Sequence, residues 1–199
     1  MNLKQMVRKF PRIANFAKSL RAPLGRSYIA AHHMFPGVKK KRVFFSSFVG
    51  KSYNDSPRYI CEELLKLRPD IDVVWQLSPN ASGRNRLPKG VRTVPHHSLK
   101  ALRAMATSAV IVDNFNRPFY IPKFPDQYYI QTWHGDRGFK RIRLDRNAPS
   151  RPLLREAGYL DLMVSGSRFG SEVYRTACNY KGIMPEVNHC LFRVLAKAV

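Results

Sequence analysis

The chain has 199 residues, 44% hydrophobic and 12% aromatic, enough for one cored domain or one and a half and too apolar for a disordered chain. Its 35 Lys and Arg against 13 Asp and Glu give a formal charge of +22. Such a surplus favours nucleic acid, anionic lipid headgroups or a phosphate-rich substrate. Cys61, Cys178 and Cys190 are odd in number and lack CxxC spacing, which argues against a disulfide framework or a zinc site and for a reducing compartment.

The first predicted element is a basic helix from Leu3 to about Leu20. Leu3, Met6, Val7, Phe10 and Ala17 recur at helical spacing, Lys4, Arg8, Lys9, Arg12 and Lys18 fill other faces, and Pro11 should kink or divide it. No acidic residue precedes Asp55. The helix is either docked on the domain or laid on an anionic lipid surface, which attracts about 1 kcal/mol per basic residue. No run reaches the roughly 18–20 apolar residues of a bilayer span, and the leader lacks the apolar core of a secretory signal. The cytosol, or a cytosolic membrane face, is therefore expected. Residues 1–41, ending in Lys39-Lys40-Lys41, form a basic leader and linker.

Strands then alternate with helices. Predicted strands are Arg42–Phe48, Asp72–Leu77, Val91–Val94, Ala109–Val112, Gln127–Gln131 and Leu162–Ser165. Predicted helices begin at Ser56 with Pro57 in the first turn and cover Ser98–Thr107, Ser150–Ala157 and Phe169–Cys178. This alternation predicts an α/β fold with a doubly wound, mainly parallel sheet.

Open sheets of this kind bind ligands beyond the carboxyl ends of their strands, so the loops there carry the candidate site. Gly50-Lys51-Ser52 is not a Walker A loop, because the first glycine of that motif would fall on Phe45. It remains either a polar turn with Asp55 or Ser56 capping the next helix, or an anion site at a helix start. Asp113-Asn114 follows a buried strand and is either an Asx-type turn or a lining of the same cleft. Gln131-Thr132-Trp133-His134-Gly135 follows the apolar run Tyr128-Tyr129-Ile130. An imidazole at that edge can serve as a general base near neutral pH. His134 has no HxxxH or HExxH partner, so no metal is expected. Gly135 and Gly138 permit close backbone approach, and Lys140, Arg141 and Arg143 add positive charge. Ser165-Gly166-Ser167 is a further anion-binding turn or a cap.

Three segments together resemble the CDP-glycerol glycerophosphotransferase family, the enzymes of teichoic-acid poly(glycerol phosphate) synthesis. They are Phe45–Phe48 running into Gly50–Ile60, Val74–Leu77, and Tyr129–Gly135 with Lys140 and Asp145 after it; Asp161–Ser167 is similar too. The resemblance covers residues 42 to 187 and implies the N-terminal, Rossmann-like, acceptor-side half of a GT-B enzyme. Such enzymes sit peripherally on the cytoplasmic membrane face, take CDP-glycerol as donor, need no cofactor, and pass glycerol phosphate to a lipid-linked hydroxyl. The resemblance implies His134 as the catalytic base. It also implies a substrate cleft of Gly50, Lys51, Ser52, Tyr53, Asp55, Asp113, Gln131, Trp133 and Gly135. Lys4, Arg8, Lys9, Arg12 and Lys18 then read as membrane contacts. Residues 188–199 match nothing in the family, so a truncation with doubtful stand-alone activity is expected, the donor site falling mostly outside this chain. The competing expectation is a non-catalytic basic domain on anionic membrane or nucleic acid. No specific nucleic acid is expected, because the aromatics fall within predicted strands rather than among the basic residues.

Overall fold

A computed structural model describes residues 11–96, 98–117, 121–135, 141–146, 154 and 157–186, with side chains from residue 22 onward. Lys4, Arg8, Lys9, Gly138, Lys140, most of the predicted Ser150–Ala157 helix and the 188–199 tail lie outside these residues. So do the side chains of Arg12 and Lys18.

The first described helix, α1, spans Pro11–Met34. It was expected to end near Leu20 but runs on through Pro23. Tertiary packing carries it onward: Gly25 and Ile29 are buried, and Ile29 joins Phe44, Val74, Ala104 and Ile111 in one cluster. An interior proline costs a helix about 3 kcal/mol or more, and such burial offsets it. At the helix end His33 Nδ1 meets the Ala106 carbonyl at 3.3 Å, and the ring stacks on Phe124.

Six strands follow: β1 (Lys39–Ser46), β2 (Asp72–Gln76), β3 (Arg92–Val94), β4 (Ser108–Asp113), β5 (Tyr128–Gln131) and β6 (Leu162–Met163). They form one sheet in the order β3-β2-β1-β4-β5-β6, and every pairing is parallel. The sheet is therefore the expected doubly wound one. β1 starts three residues earlier than expected: Lys39, Lys40 and Lys41 extend it with exposed side chains, and the Lys39 N–H donates to the Thr107 carbonyl at 2.9 Å. Charge hid this end of the strand, because backbone pairing does not require apolar side chains where both sit at a sheet margin.

Helices cover both faces, as a parallel sheet demands. Val43, Phe45, Val73, Trp75, Val110 and Val112 face one cluster with Ile60, Cys61 and Leu64 of α2 (Asp55–Leu67). The alternate residues Phe44, Val74 and Ile111 face α1 and α3 (Leu99–Ala106). This period-two exchange of sides is the pleat at work. Ser98 caps α3, accepting from the Ala101 N–H at 3.1 Å. A short helix, α4 (Arg143–Arg146), precedes α5 (Arg168–Ala177). α5 is capped by Ser167 and covers a third cluster of Trp133, Met163, Tyr174, Cys178 and Tyr180.

Candidate functional site

β1 and β4 are neighbours, yet their following segments turn to opposite halves of the sheet. This is the switch point where such folds open a crevice. Register makes the crevice floor polar. The last rungs pair Ser46 with Gln76, Ser46 with Asp113 and Asp113 with Gln131, and all four are buried.

His134 lies just beyond this row. Its Nδ1 stands 2.6 Å from the Asn114 carbonyl oxygen. A carbonyl only accepts, so Nδ1 carries a proton, and in the neutral imidazole Nε2 then holds the lone pair. Nε2 has no hydrogen-bond partner among the described residues. The imidazole packs between the rings of Trp133 (4.5 Å), Phe115 (5.2 Å) and Phe48 (5.5 Å). These fix its plane, and an imidazole held this way can act as a general base.

Asn114 is the hub of the arrangement and is fully buried. Its Oδ1 accepts from the Phe48 N–H at 2.8 Å, and its Nδ2 donates to Ser47 Oγ and to Asp55 Oδ2, at 3.3 and 2.6 Å. One side chain thus ties the ends of β1, α2 and β4 together, while its own carbonyl orients His134. Backbone strain concentrates here too. Six described non-glycine residues have positive φ, and Phe48, Val49, Asp55, Trp133 and Arg143 of these border this edge. Each such conformation costs on the order of 1–3 kcal/mol and persists where function and packing over-determine it.

The remaining expected residues divide. Asp113 accepts from the Phe115 N–H at 3.1 Å, an Asx-type turn at the crevice floor. Gln131 is buried and committed to the protein: Oε1 takes the Trp133 N–H at 2.9 Å, and Nε2 donates to the Phe115 carbonyl and the Tyr129 hydroxyl. It shapes the loop rather than offering free groups. The Gly135 carbonyl accepts from Tyr174 Oη at 2.7 Å, and a side chain there would meet nothing within 4 Å among the described residues, so the backbone is approachable from their side. Ser167 serves α5 as its cap, its Oγ accepting from the Gly170 N–H.

The Gly50–Tyr53 loop is hydrogen-bonded to the segment that follows β2. Ser78 N–H donates to the Gly50 carbonyl at 2.8 Å, Ser82 N–H to that of Lys51 at 3.1 Å, and Tyr53 N–H to that of Ser82 at 2.8 Å. Gly50, at φ +81, has Gln76 and His96 atoms 3.2 Å from where a Cβ would sit, so glycine is required. Lys51 is exposed and Ser52 buried. Burial, and then the Lys51 ammonium, hold the His96 imidazole below its ordinary pKa. The expectation for Tyr53 is corrected. It is wholly buried, edge-on to Trp75 at 4.6 Å, with its hydroxyl donating to Glu62 at 3.3 Å. Burial, with Cys61 and Glu62 beside it, raises its pKa well above the usual phenol value. It is a core residue, and an aromatic in a polar loop gave no sequence sign of turning inward. Cys61 is equally inert, its thiol pushed up to about 12 by burial.

Two buried arginines sit at this edge. Arg117 was not singled out from sequence; it lies 4.7 Å over the Tyr129 ring and lines a small cavity with Ser46, Gln76, Asp113 and Asn116. Its only available sign was a cation shortly past the end of β4. Arg143, read from sequence simply as added positive charge, donates to Asn116 Oδ1, 6.0 Å from the Trp133 ring. Among the described residues, no group of three or more His, Cys, Asp or Glu could hold a metal.

Comparison with known proteins adds to this geometry. A family model described as CDP-Glycerol:Poly(glycerophosphate) glycerophosphotransferase matches residues 27–185. The teichoic acid poly(glycerol phosphate) polymerase of Staphylococcus epidermidis is 32% identical over 151 residues, 70% of this chain and 20% of that protein. That of Bacillus subtilis (strain 168) is 30% identical over 193 residues, covering 92% and 26%. A solved structure of the wall teichoic acid polymerase TagF superposes with a TM-score of 0.72 at 28% identity, covering 94% of this chain and 48% of that one. A histidine-to-asparagine form soaked with CDPG gives 0.70 at 26%, covering 88% and 48%. The chain thus spans about half the length of these solved chains and a fifth to a quarter of the two curated relatives.

Proposed function

This chain belongs to the CDP-glycerol:poly(glycerophosphate) glycerophosphotransferase family, and we propose that it forms the acceptor-side, Rossmann-like half of a GT-B transferase of teichoic-acid synthesis. The observation that carries this reading is the 2.6 Å contact between His134 Nδ1 and the Asn114 carbonyl, which leaves Nε2 basic at the sheet edge. Nε2 takes the proton of an acceptor hydroxyl as its oxygen attacks the β-phosphorus of CDP-glycerol. The bond from that phosphorus to the bridging oxygen breaks, and CMP leaves with the electron pair. Arg143, beside Trp133, and the approachable backbone at Gly135 offset the anionic charge of the transition state. Lys51 and Asp55 line the cleft mouth. The CDP moiety is assigned to a second domain of the kind the GT-B resemblance implies. The acceptor is assigned to a lipid at the cytoplasmic membrane face, reached peripherally through Lys4, Arg8, Lys9, Arg12 and Lys18. Among the described residues no helix is long and apolar enough to cross a membrane.

The test is CMP release from CDP-glycerol, with a lipid-linked glycerol phosphate acceptor, by this chain joined to a donor-side domain of the family. His134→Ala should lower kcat about a hundred-fold or more, the range expected for losing a general base, with donor affinity retained. Undiminished turnover in that variant would remove His134 from the role. Absence of CMP release from the joined protein itself would overturn the transferase reading.

A further inference from the structure

The opposite, amino-terminal edge of the sheet holds a separate open cleft of about 570 Å³, walled by Lys39, Arg42, Arg92, Lys100 and Arg103. They come from the starts of β1 and β3 and from α3, which descends to this edge. Among the described residues only Asp72 pairs with any of the five cations: its carboxylate accepts from Arg42 Nε and Arg92 Nη2, each at 2.7 Å. Arg42 also donates to Thr107 Oγ1 at 2.8 Å. Both guanidinium forks are thereby fixed before any ligand arrives. Lys39, Lys100 and Arg103 have no carboxylate partner among the described residues. Like charges gathered around one cleft repel one another unless an anion enters, and at physiological salt the screening length is about 8 Å. Pro36, Val94 and Ala104 also line the cleft and give it an apolar part.

We propose that this cleft is an anion site for a phosphate ester, its phosphate on the cationic wall and its carbon part against Pro36, Val94 and Ala104. The Arg103 guanidinium, engaged by no carboxylate among the described residues, offers a fork that matches phosphate oxygens in geometry as well as charge, which favours phosphate over a simple halide. A ligand held here leaves the His134 edge open. The site would therefore tether phosphate-bearing material to the protein without competing with the reacting groups. Two sources share this chemistry: a free phosphodiester and the headgroup of an anionic lipid.

The experiment uses the full chain and two probes, glycerophosphoglycerol by titration calorimetry and phosphatidylglycerol–phosphatidylcholine vesicles by sedimentation, at one fixed salt concentration. The triple variant Lys39→Gln, Lys100→Gln, Arg103→Gln removes three exposed side chains of the cleft. Lys66→Gln, Lys89→Gln, Lys181→Gln removes the same charge from exposed positions elsewhere. The cleft variant should bind glycerophosphoglycerol at least ten-fold more weakly, and the control less than two-fold more weakly. If vesicle binding falls in parallel, the occupant is a lipid headgroup; if only the soluble probe is lost, it is a free phosphate ester. Equal weakening by both triples reduces the effect to net charge and overturns the site, as does absence of binding to either probe by the unaltered chain. No transfer reaction is measured, so failure here leaves the assignment of His134 untouched.

Discussion

On the proposed reading, His134 and Asn114 divide one task between a reacting group and its support. The imidazole can act as a base only while Nδ1 stays on the Asn114 carbonyl, and that carbonyl is placed by the three bonds of the Asn114 side chain. Asn114→Ala should orphan the Phe48 N–H and free the Asp55 carboxylate, lowering stability by about 1–3 kcal/mol, the usual cost of an unsatisfied buried group. A purely structural residue would do no more. As a positioning residue, Asn114 should also control the tautomer: nitrogen-15 spectra of labelled histidine should show the Nδ1-protonated form losing population in the variant. An unchanged tautomer alongside lost stability would return Asn114 to a structural role only. Much of this was hidden from the sequence. Asn114 was visible as half of an Asx-type turn, but its partners lie 59 to 67 residues away, and no local pattern links them.

Elements were more legible than side-chain roles. Strand bounds came within one to three residues wherever apolar runs met turn residues, because both faces of a parallel sheet are buried and its strands read as continuous apolar runs. Where packing overrode composition, the reading fell short, as at Pro23 in α1 and Lys39–Lys41 in β1. If α1 belongs to the cooperative fold, Ile29→Ala should cost about 2–4 kcal/mol in urea unfolding, as deletions from a packed core do. A change within about 0.5 kcal/mol would instead leave the helix as an appendage. The amino edge has its own fastener in Asp72, at the start of β2, which takes arginines from β1 and β3. Burial pushes its pKa upward, but the hydrogen bonds from Arg92 and Arg42 outweigh that, and the net value falls below the ordinary carboxylate range. A depressed folded value stabilises above the unfolded pKa of about 3.9 and loses that contribution as pH falls through the folded value. Asp72→Asn should therefore melt lower than the unaltered chain at pH 7, and the gap should narrow below about pH 4. A gap independent of pH would show that the ion pairs contribute nothing.

At the scale of the whole molecule, the parallel sheet gives the chain two unlike edges. The carboxyl edge holds strained backbone, buried arginines and an oriented histidine; the amino edge holds an open cationic cleft. A charge of +22 announced anionic partners without locating either place. Composition, alternation of strands with helices, and the three segments Phe45–Ile60, Val74–Leu77 and Tyr129–Gly135 taken together were sufficient by themselves to determine the α/β class, the parallel sheet and the family resemblance. These rest on local periodicity and on motifs, which a linear chain displays directly. Only the tertiary structure decided that Tyr53 turns into the core, that Gln131 serves its own loop, and that the Asn114 carbonyl meets the His134 ring. It also decided that five cations converge where β1 and β3 begin. The reason is the strand order: setting β4 beside β1 brings Ser46, Asp113 and Gln131 onto adjoining rungs. Backbone hydrogen bonds between parallel strands fix that adjacency, and they leave no periodic trace in the residues they join.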